Sequence, residues 1–187
     1  LISKYPDWID SIFERTARRT QKKDDNDAKR QAKKVLRAKV PELMDAVSKN
    51  RQECVLFIAE GMSAISKLRE TRDPEIHGGI PLTGKIMNVT GETHKRQLEN
   101  KVLKNIMSSL NISVTDKANR LNLRYGKVYI AADMDQDGAN ITALLVNFFY
   151  QNWPELFQDK DNPFIEVFMT PFVIARKGKQ SKYWYAH

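Results

Sequence analysis

Cysteine is nearly absent. Of 187 residues only Cys54 carries a thiol, which excludes a disulfide framework and any zinc site built on cysteine. Histidine is scarce too, at three. No apolar run approaches the roughly 18–20 residues that a bilayer crossing requires. No charged-then-apolar leader precedes the body of the chain, and it opens on Leu1, so we expect an intracellular, excised or processed piece of a larger protein. A glycine-rich GxxxxGK[ST] loop is missing as well, which removes one common route to nucleotide hydrolysis. What is present is ordinary for a folded soluble domain: 41% hydrophobic and 29% charged residues. Lys and Arg number 31 against 23 Asp and Glu, a net +8, and that surplus points to a polyanionic partner.

The charge is uneven along the chain. Residues 1–50 hold 13 cations and 8 carboxylates. Tyr5, Trp8, Ile9, Ile12 and Phe13 recur three and four apart, as on one helix face, with Asp7 after Pro6 as a candidate cap. A polar tract follows, interrupted by Asp24, Asp25, Asn26 and Asp27. Ala28, Ala32, Val35, Leu36 and Val40 then keep helical spacing, with Lys29, Arg30, Lys33, Lys34 and Arg37 on the other sides. Pro41 is expected to stop that helix. The basic face reads either as solvated surface or as a nucleic-acid contact.

From residue 51 the texture changes. Residues 54–59 (CVLFIA) form a short unbroken apolar run of the kind buried in parallel sheets. A helix is expected over 62–70, a loop through Asp73-Pro74 and Gly78-Gly79, and a short strand around 80–82. A helix over 94–111, a strand over 128–132, a helix carrying Ile141 to Phe149, and strand material over 164–174 with Pro171 inside it follow. Tyr183-Trp184-Tyr185 reads as strand packing. Strands alternating with helices imply an α/β fold with a largely parallel sheet.

The sharpest chemistry lies in Asp133-Met134-Asp135-Gln136-Asp137-Gly138, directly after a candidate strand. Carboxylates at alternate positions repel unless cations hold them. A calcium loop of the EF-hand type needs a Glu at its twelfth position, which here is Leu144. An acidic solvated turn and a catalytic Mg²⁺ site remain. The second gains weight from Glu60, which ends the apolar run 54–59, because strand carboxyl ends face the ligand crevice of a parallel sheet.

These motifs together carry a family resemblance. Phe57-Ile58-Ala59-Glu60-Gly61-Met62-Ser63-Ala64, the block Pro81-Leu82-Thr83-Gly84-Lys85-Ile86-Met87-Asn88-Val89, and Leu123-Arg124-Tyr125 leading to the aspartates resemble the Toprim domain of type IIA DNA topoisomerases. The loop 72–79 and the segment 152–157 are most similar to the T-even-type bacteriophage branch. Met62, Thr83 and Asn140 depart from the usual residues of the family. The resemblance implies a Rossmann-like parallel sheet sandwiched by helices. It also implies a division into a helical linker (1–50), a Toprim metal-binding domain (51–175) and the start of a C-terminal tail (176–187).

The same resemblance implies an enzyme part that supports double-strand DNA cleavage and religation. Glu60, Asp133, Asp135 and Asp137 would hold one or two Mg²⁺ ions, for which Mn²⁺ can substitute. Lys85 and Arg124 would contact DNA. The attacking tyrosine would come from a winged-helix partner, and ATP would bind only in an absent ATPase domain. The location implied is the cytoplasm of an infected bacterium. Two other readings stand beside it: a Toprim primase or nuclease, and a non-catalytic nucleic-acid module built on the basic helix 28–40.

Overall fold

In the computed structural model of the protein, residues 6–133, 135–168 and 173–184 are described. The chain begins with a single long helix, α1 (Pro6–Arg37). It runs without a break through the acidic residues 24–27 within the polar tract. No Gly or Pro occurs between Pro6 and Pro41, and Asp25 precedes Lys29 by one turn, a spacing that supports helix. The helix closes at Arg37, before the expected stop. Ala38 N–H bonds to the Val35 carbonyl at 3.0 Å, and the residues ahead of Pro41 are pushed towards extended backbone. Only the last third of α1 enters the core, through Ala28, Ala32 and Val35. Trp8 and Phe13, on the stripe of the first helical stretch, are 66% and 69% exposed.

The unbroken apolar run forms β1 (Val55–Ala59), and α2 (Met62–Thr71) follows it. β2 (His77–Pro81) starts earlier than the sequence predicts. Gly78 and Gly79 lie within this strand rather than in a loop, because there is no room beside them for larger residues: a Cβ on Gly78 would meet the Tyr125 ring. The helical stretch 94–111 divides into α3 (His94–Glu99) and α4 (Lys101–Leu110). Asn100 is extended, and its side chain caps α4 by accepting from Leu103 N–H at 3.0 Å. β3 (Lys127–Ala131), α5 (Gln136–Asn152) and β4 (Ile165–Val167) complete the unit.

β2, β1, β3 and β4 lie side by side in that order, all parallel. The expected parallel α/β sheet is therefore present. The strand material expected over 164–174 is not continuous: β5 (Val173–Lys177) pairs with β6 (Gln180–Trp184) in a separate antiparallel hairpin. Tyr183 and Trp184 sit in β6; Tyr5, Pro171 and Tyr185 lie outside the described residues.

Alternation along the strands separates two faces. Leu56, Ile58, Val128 and Ile130 point into the main core, against α3, α4, α5 and the end of α1. Phe148, Phe149, Trp153 and Phe164 form its aromatic centre. On the opposite face Ala59 meets Ile65 of α2 and Met44 in a small second cluster. Met44 and Gly79 exchange backbone hydrogen bonds of 2.9 and 2.8 Å, which covers the edge of β2.

The amino ends of the strands are fastened by one carboxylate. Asp45 accepts from the buried Tyr125 hydroxyl at 2.5 Å and pairs with Arg124 and Arg51. Burial alone would raise its carboxyl, but the hydroxyl and the two guanidiniums outweigh that and hold it below its ordinary 3.8. A carboxyl held low contributes stability above 3.8 that is lost as pH falls through the lower folded value. Asp45→Asn is expected to cost about 1–3 kcal/mol at neutral pH. The same variant should flatten the acid limb of the stability profile, read by urea unfolding across pH; an unchanged acid limb would assign that limb to other groups.

Candidate metal centre

Three of the four strands of this sheet end at one place, and backbone hydrogen bonds set their relative positions. Leu82 N–H donates to Ala59 C=O at 2.8 Å, and Glu60 N–H donates to Ala131 C=O at 3.2 Å. The residues just past β1, β2 and β3 are thereby held together. The chain leaves β1 through α2, which packs against one face of the sheet. It leaves β3 through α5, which packs against the other. Between the carboxyl ends of such strands lies the crevice in which open parallel sheets bind ligands.

Glu60 is the first residue beyond β1, and its Oε2 accepts from Asp133 N–H at 3.0 Å. The two strand-end motifs, separated by 73 positions, therefore touch. Asp133 is exposed beyond β3. Asp135 is the N-cap of α5: its Oδ1 accepts from Gly138 N–H at 2.7 Å. Asp137 occupies the first turn of α5, where the positive end of the helix dipole favours a carboxylate. Gly138 is required by close approach, since a Cβ there would lie 2.0 Å from the Asp133 carbonyl oxygen.

Lys85 reaches the same place from the end of β2. Gly84 has φ 133°, a conformation that glycine adopts without a Cβ clash, and this turns the chain so that Lys85 lines the crevice. A cavity of about 270 Å³ is bounded by Glu60, Lys85, Asp137 and Asn140, with Ile86, Leu144 and other apolar groups behind them. The loop is clipped to α5 by Asn147 Nδ2, which donates to Asn88 Oδ1 at 3.3 Å and to Thr90 Oγ1 at 3.2 Å. Sequence reasoning gave no sign of this clip or of Asn140 as a lining residue, because neither belongs to a local spacing pattern.

Arg124 is not brought to the crevice. It precedes β3, at the opposite ends of the strands, where Asp45 engages it. His77 also lies at that end, with Nδ1 accepting from Asp73 N–H at 3.2 Å.

The donor set is all oxygen, which suits a hard divalent cation such as Mg²⁺. Among the described residues no three His, Cys, Asp or Glu side chains are close enough to hold one ion. Mg²⁺ nevertheless keeps several waters and is commonly held by one or two carboxylates together with substrate phosphates. Glu60, Asp133, Asp135 and Asp137 form no ion pair within 4.0 Å among the described residues. The residues present fit such a group.

The sequence profile of the Toprim domain matches residues 55–168, the span from β1 to just past β4. The chain belongs to the Toprim domain family. Over 157 residues the Toprim chain is 39% identical to DNA topoisomerase 2-alpha of Cricetulus griseus and 40% identical to DNA topoisomerase 2 of Bombyx mori. These alignments cover 79% of this chain and 10% of each relative, so the chain spans about a tenth of their length. A crystal structure of the Plasmodium falciparum topoisomerase II DNA-binding, cleavage and re-ligation domain superposes with a TM-score of 0.72 at 34% identity, covering 80% of this chain and 21% of that one. The Toprim fold and the kinship with type II topoisomerases are thereby shown. No helix among the described residues is long and apolar enough to cross a membrane.

Asp135 separates a capping role from a charge-bearing one. Asn caps a helix about as well as Asp, whereas Ala costs about 1 kcal/mol. Asp135→Asn is expected to keep the thermal midpoint of the parent while weakening Mg²⁺ binding in isothermal titration. Asp135→Ala should lose both. Equal Mg²⁺ affinity in parent and Asp135→Asn would confine this residue to the cap.

Proposed function

We propose that this chain is the Mg²⁺-binding Toprim part of an ATP-dependent type IIA DNA topoisomerase, serving cleavage and religation of double-stranded DNA. The observation that carries the reading is the contact between Glu60 and Asp133. It ties the Glu60 carboxylate, which lines the crevice with Lys85, to the backbone of the aspartate motif at the next strand end. Kinship with type II topoisomerases supports the same reading. Residues 51–175 would form the metal-binding unit, and 1–50 its linker to an ATPase domain, where ATP would bind. The likeness of 72–79 and 152–157 to T-even-type bacteriophage enzymes suggests a phage origin and a bacterial host cytoplasm, whereas the relatives named above are animal and protozoan proteins.

In this reading a tyrosine hydroxyl on a winged-helix partner attacks a backbone phosphorus. A phosphotyrosyl bond forms, the bond to the sugar oxygen breaks, and that oxygen takes up a proton. A divalent ion, when bound, offsets the charge that gathers on the phosphoryl and leaving oxygens. Glu60, Asp133, Asp135 and Asp137 would hold it. Glu60 is an acceptor here, because its Oε2 receives a backbone N–H. That contact orients the 133 loop, and in this reading Glu60 has the role of ion ligand. The exposed Lys85 places an ammonium on the crevice wall, suited to a DNA phosphate as a point charge. Religation runs the same displacement in reverse. Arg124, which pairs with Asp45 at the amino ends of the strands, takes no part in the crevice.

A Toprim primase or nuclease would use metal-activated water rather than a tyrosine. The PLTGKIMNV block that carries Lys85 favours the topoisomerase. In the full-length enzyme with its tyrosine partner, Asp133→Ala is expected to slow plasmid cleavage by on the order of a hundredfold, the scale of a lost charge-stabilising group. Cleavage at the parental rate would refute the assignment. Lys85→Gln should lower the slope of log affinity against log salt for duplex binding by about 0.9, the share of one phosphate contact.

A further inference from the structure

Part of the positive charge of the chain is concentrated in one stretch. Between Asp27 and Glu42 stand six cations and no carboxylate: Lys29, Arg30, Lys33, Lys34, Arg37 and Lys39. The fold adds two more. Lys101 and Lys104, on the first turns of α4, line a cleft of about 320 Å³ together with Lys34, Ala38, Asn105 and Ser108. Eight cations thus lie on one face formed by the end of α1 and the start of α4.

A solvated helix face explains the six residues of α1 and its end taken alone. It does not explain their apposition to α4. Ala28, Ala32 and Val35 pack α1 against the core that Val102, Leu103 and Ile106 of α4 also enter. Ser108 Oγ donates to the Ala38 carbonyl at 2.7 Å and fixes the floor of the cleft. Lysines some 70 positions apart are thereby gathered on one face. Lys33, Lys34 and Lys101 are exposed. None of the eight forms an ion pair within 4.0 Å among the described residues, whereas Arg18, Arg96, Arg120 and Lys127 all do. Asp27, Glu42 and Glu99, the acids nearest in sequence to these cations, do not line the cleft. A shallow neighbouring recess, one turn back along α1, is lined by Asn26, Lys29, Arg30 and Lys33 and again by no acid.

The cations form a row rather than a converging nest. From Lys29 to Arg37 the helix rises about 12 Å, a length over which duplex DNA carries about seven charges. A row suits a backbone of many phosphates, while a single phosphate would engage only one part of it. We propose that the α1–α4 face is a metal-independent contact for the phosphate backbone of duplex DNA, additional to the carboxylate crevice.

The test uses the full chain in EDTA with a 20-base-pair duplex of arbitrary sequence, at several salt concentrations. EDTA keeps it apart from the cleavage reading, which can fail without touching this one. The variant Lys34→Gln/Lys101→Gln/Lys104→Gln should lower the salt slope by about 2.7 and weaken binding on the order of a hundredfold near 0.1 M salt. A charge-matched control, Lys117→Gln/Lys160→Gln/Lys179→Gln, removes exposed lysines elsewhere and should change the slope by less than about one. Circular dichroism and a parental melting point establish that the variants fold. Equal losses in the two triple variants would reduce the effect to overall charge and overturn the proposal, as would an unchanged slope in the first. A mononucleotide supplied at the same phosphate concentration forms the second arm. If it displaces the duplex as well as unlabelled duplex does, the site is one for small phosphates and the proposal fails.

Discussion

The structure depends on holding three parallel strands in one register at their carboxyl ends. β1 carries Glu60, β2 leads to Lys85 and β3 leads to Asp133, and the ladder pairs Ala59 with both Pro81 and Ala131. A shift of β3 by one residue would turn Val128 and Ile130 out of the core and carry Asp133 away from the Glu60 side chain. The core enforces the register, because Leu56, Ile58, Val128 and Ile130 are all fully buried on one face. Packing thus sets the geometry of charged groups that contribute no packing themselves.

The two ends of the sheet solve different electrostatic problems. At the amino ends Asp45 is satisfied internally by Tyr125, Arg124 and Arg51, and the result is a fastening. At the carboxyl ends four carboxylates stand with no cation paired to them among the described residues. Unpaired like charges on short loops are costly unless something from outside offsets them. That difference, more than the number of acids, is what supports the proposal of a binding site at the carboxyl ends and a fastening at the amino ends. The uncompensated cations of α1 and α4 are the same situation with opposite sign, on another part of the surface.

Much of this was legible in the sequence. β1, β3, α2 and α5 appear within a few residues of their expected bounds, because short buried apolar runs and helical periodicity are local signals. The strand-end acids were legible for the same reason. Other expectations failed where distant residues decide the outcome. Gly78 and Gly79 look like loop, yet Met44 and β1 bond to them on both sides and make them strand. The apolar spacing of Trp8, Ile12 and Phe13 gave a helix but not its surroundings: these side chains are exposed, and the buried core takes in only Ala28, Ala32 and Val35 of α1. The two helical stretches on either side of residues 24–27 prove to be one helix, since nothing between them contains Gly or Pro.

The amino-acid sequence by itself determined the parallel α/β class, the acids at the tips of two strands and the excess of positive charge. Each is written in residues close together along the chain. Tertiary structure decided which of these features meet. Strand order placed Lys85 beside Glu60 and Asp137 and left Arg124 at the far end with Asp45. Helix packing gathered Lys34, Lys101 and Lys104 around one cleft. Those pairings join residues 25 to 79 positions apart, and only the burial of a shared core fixes contacts over such separations.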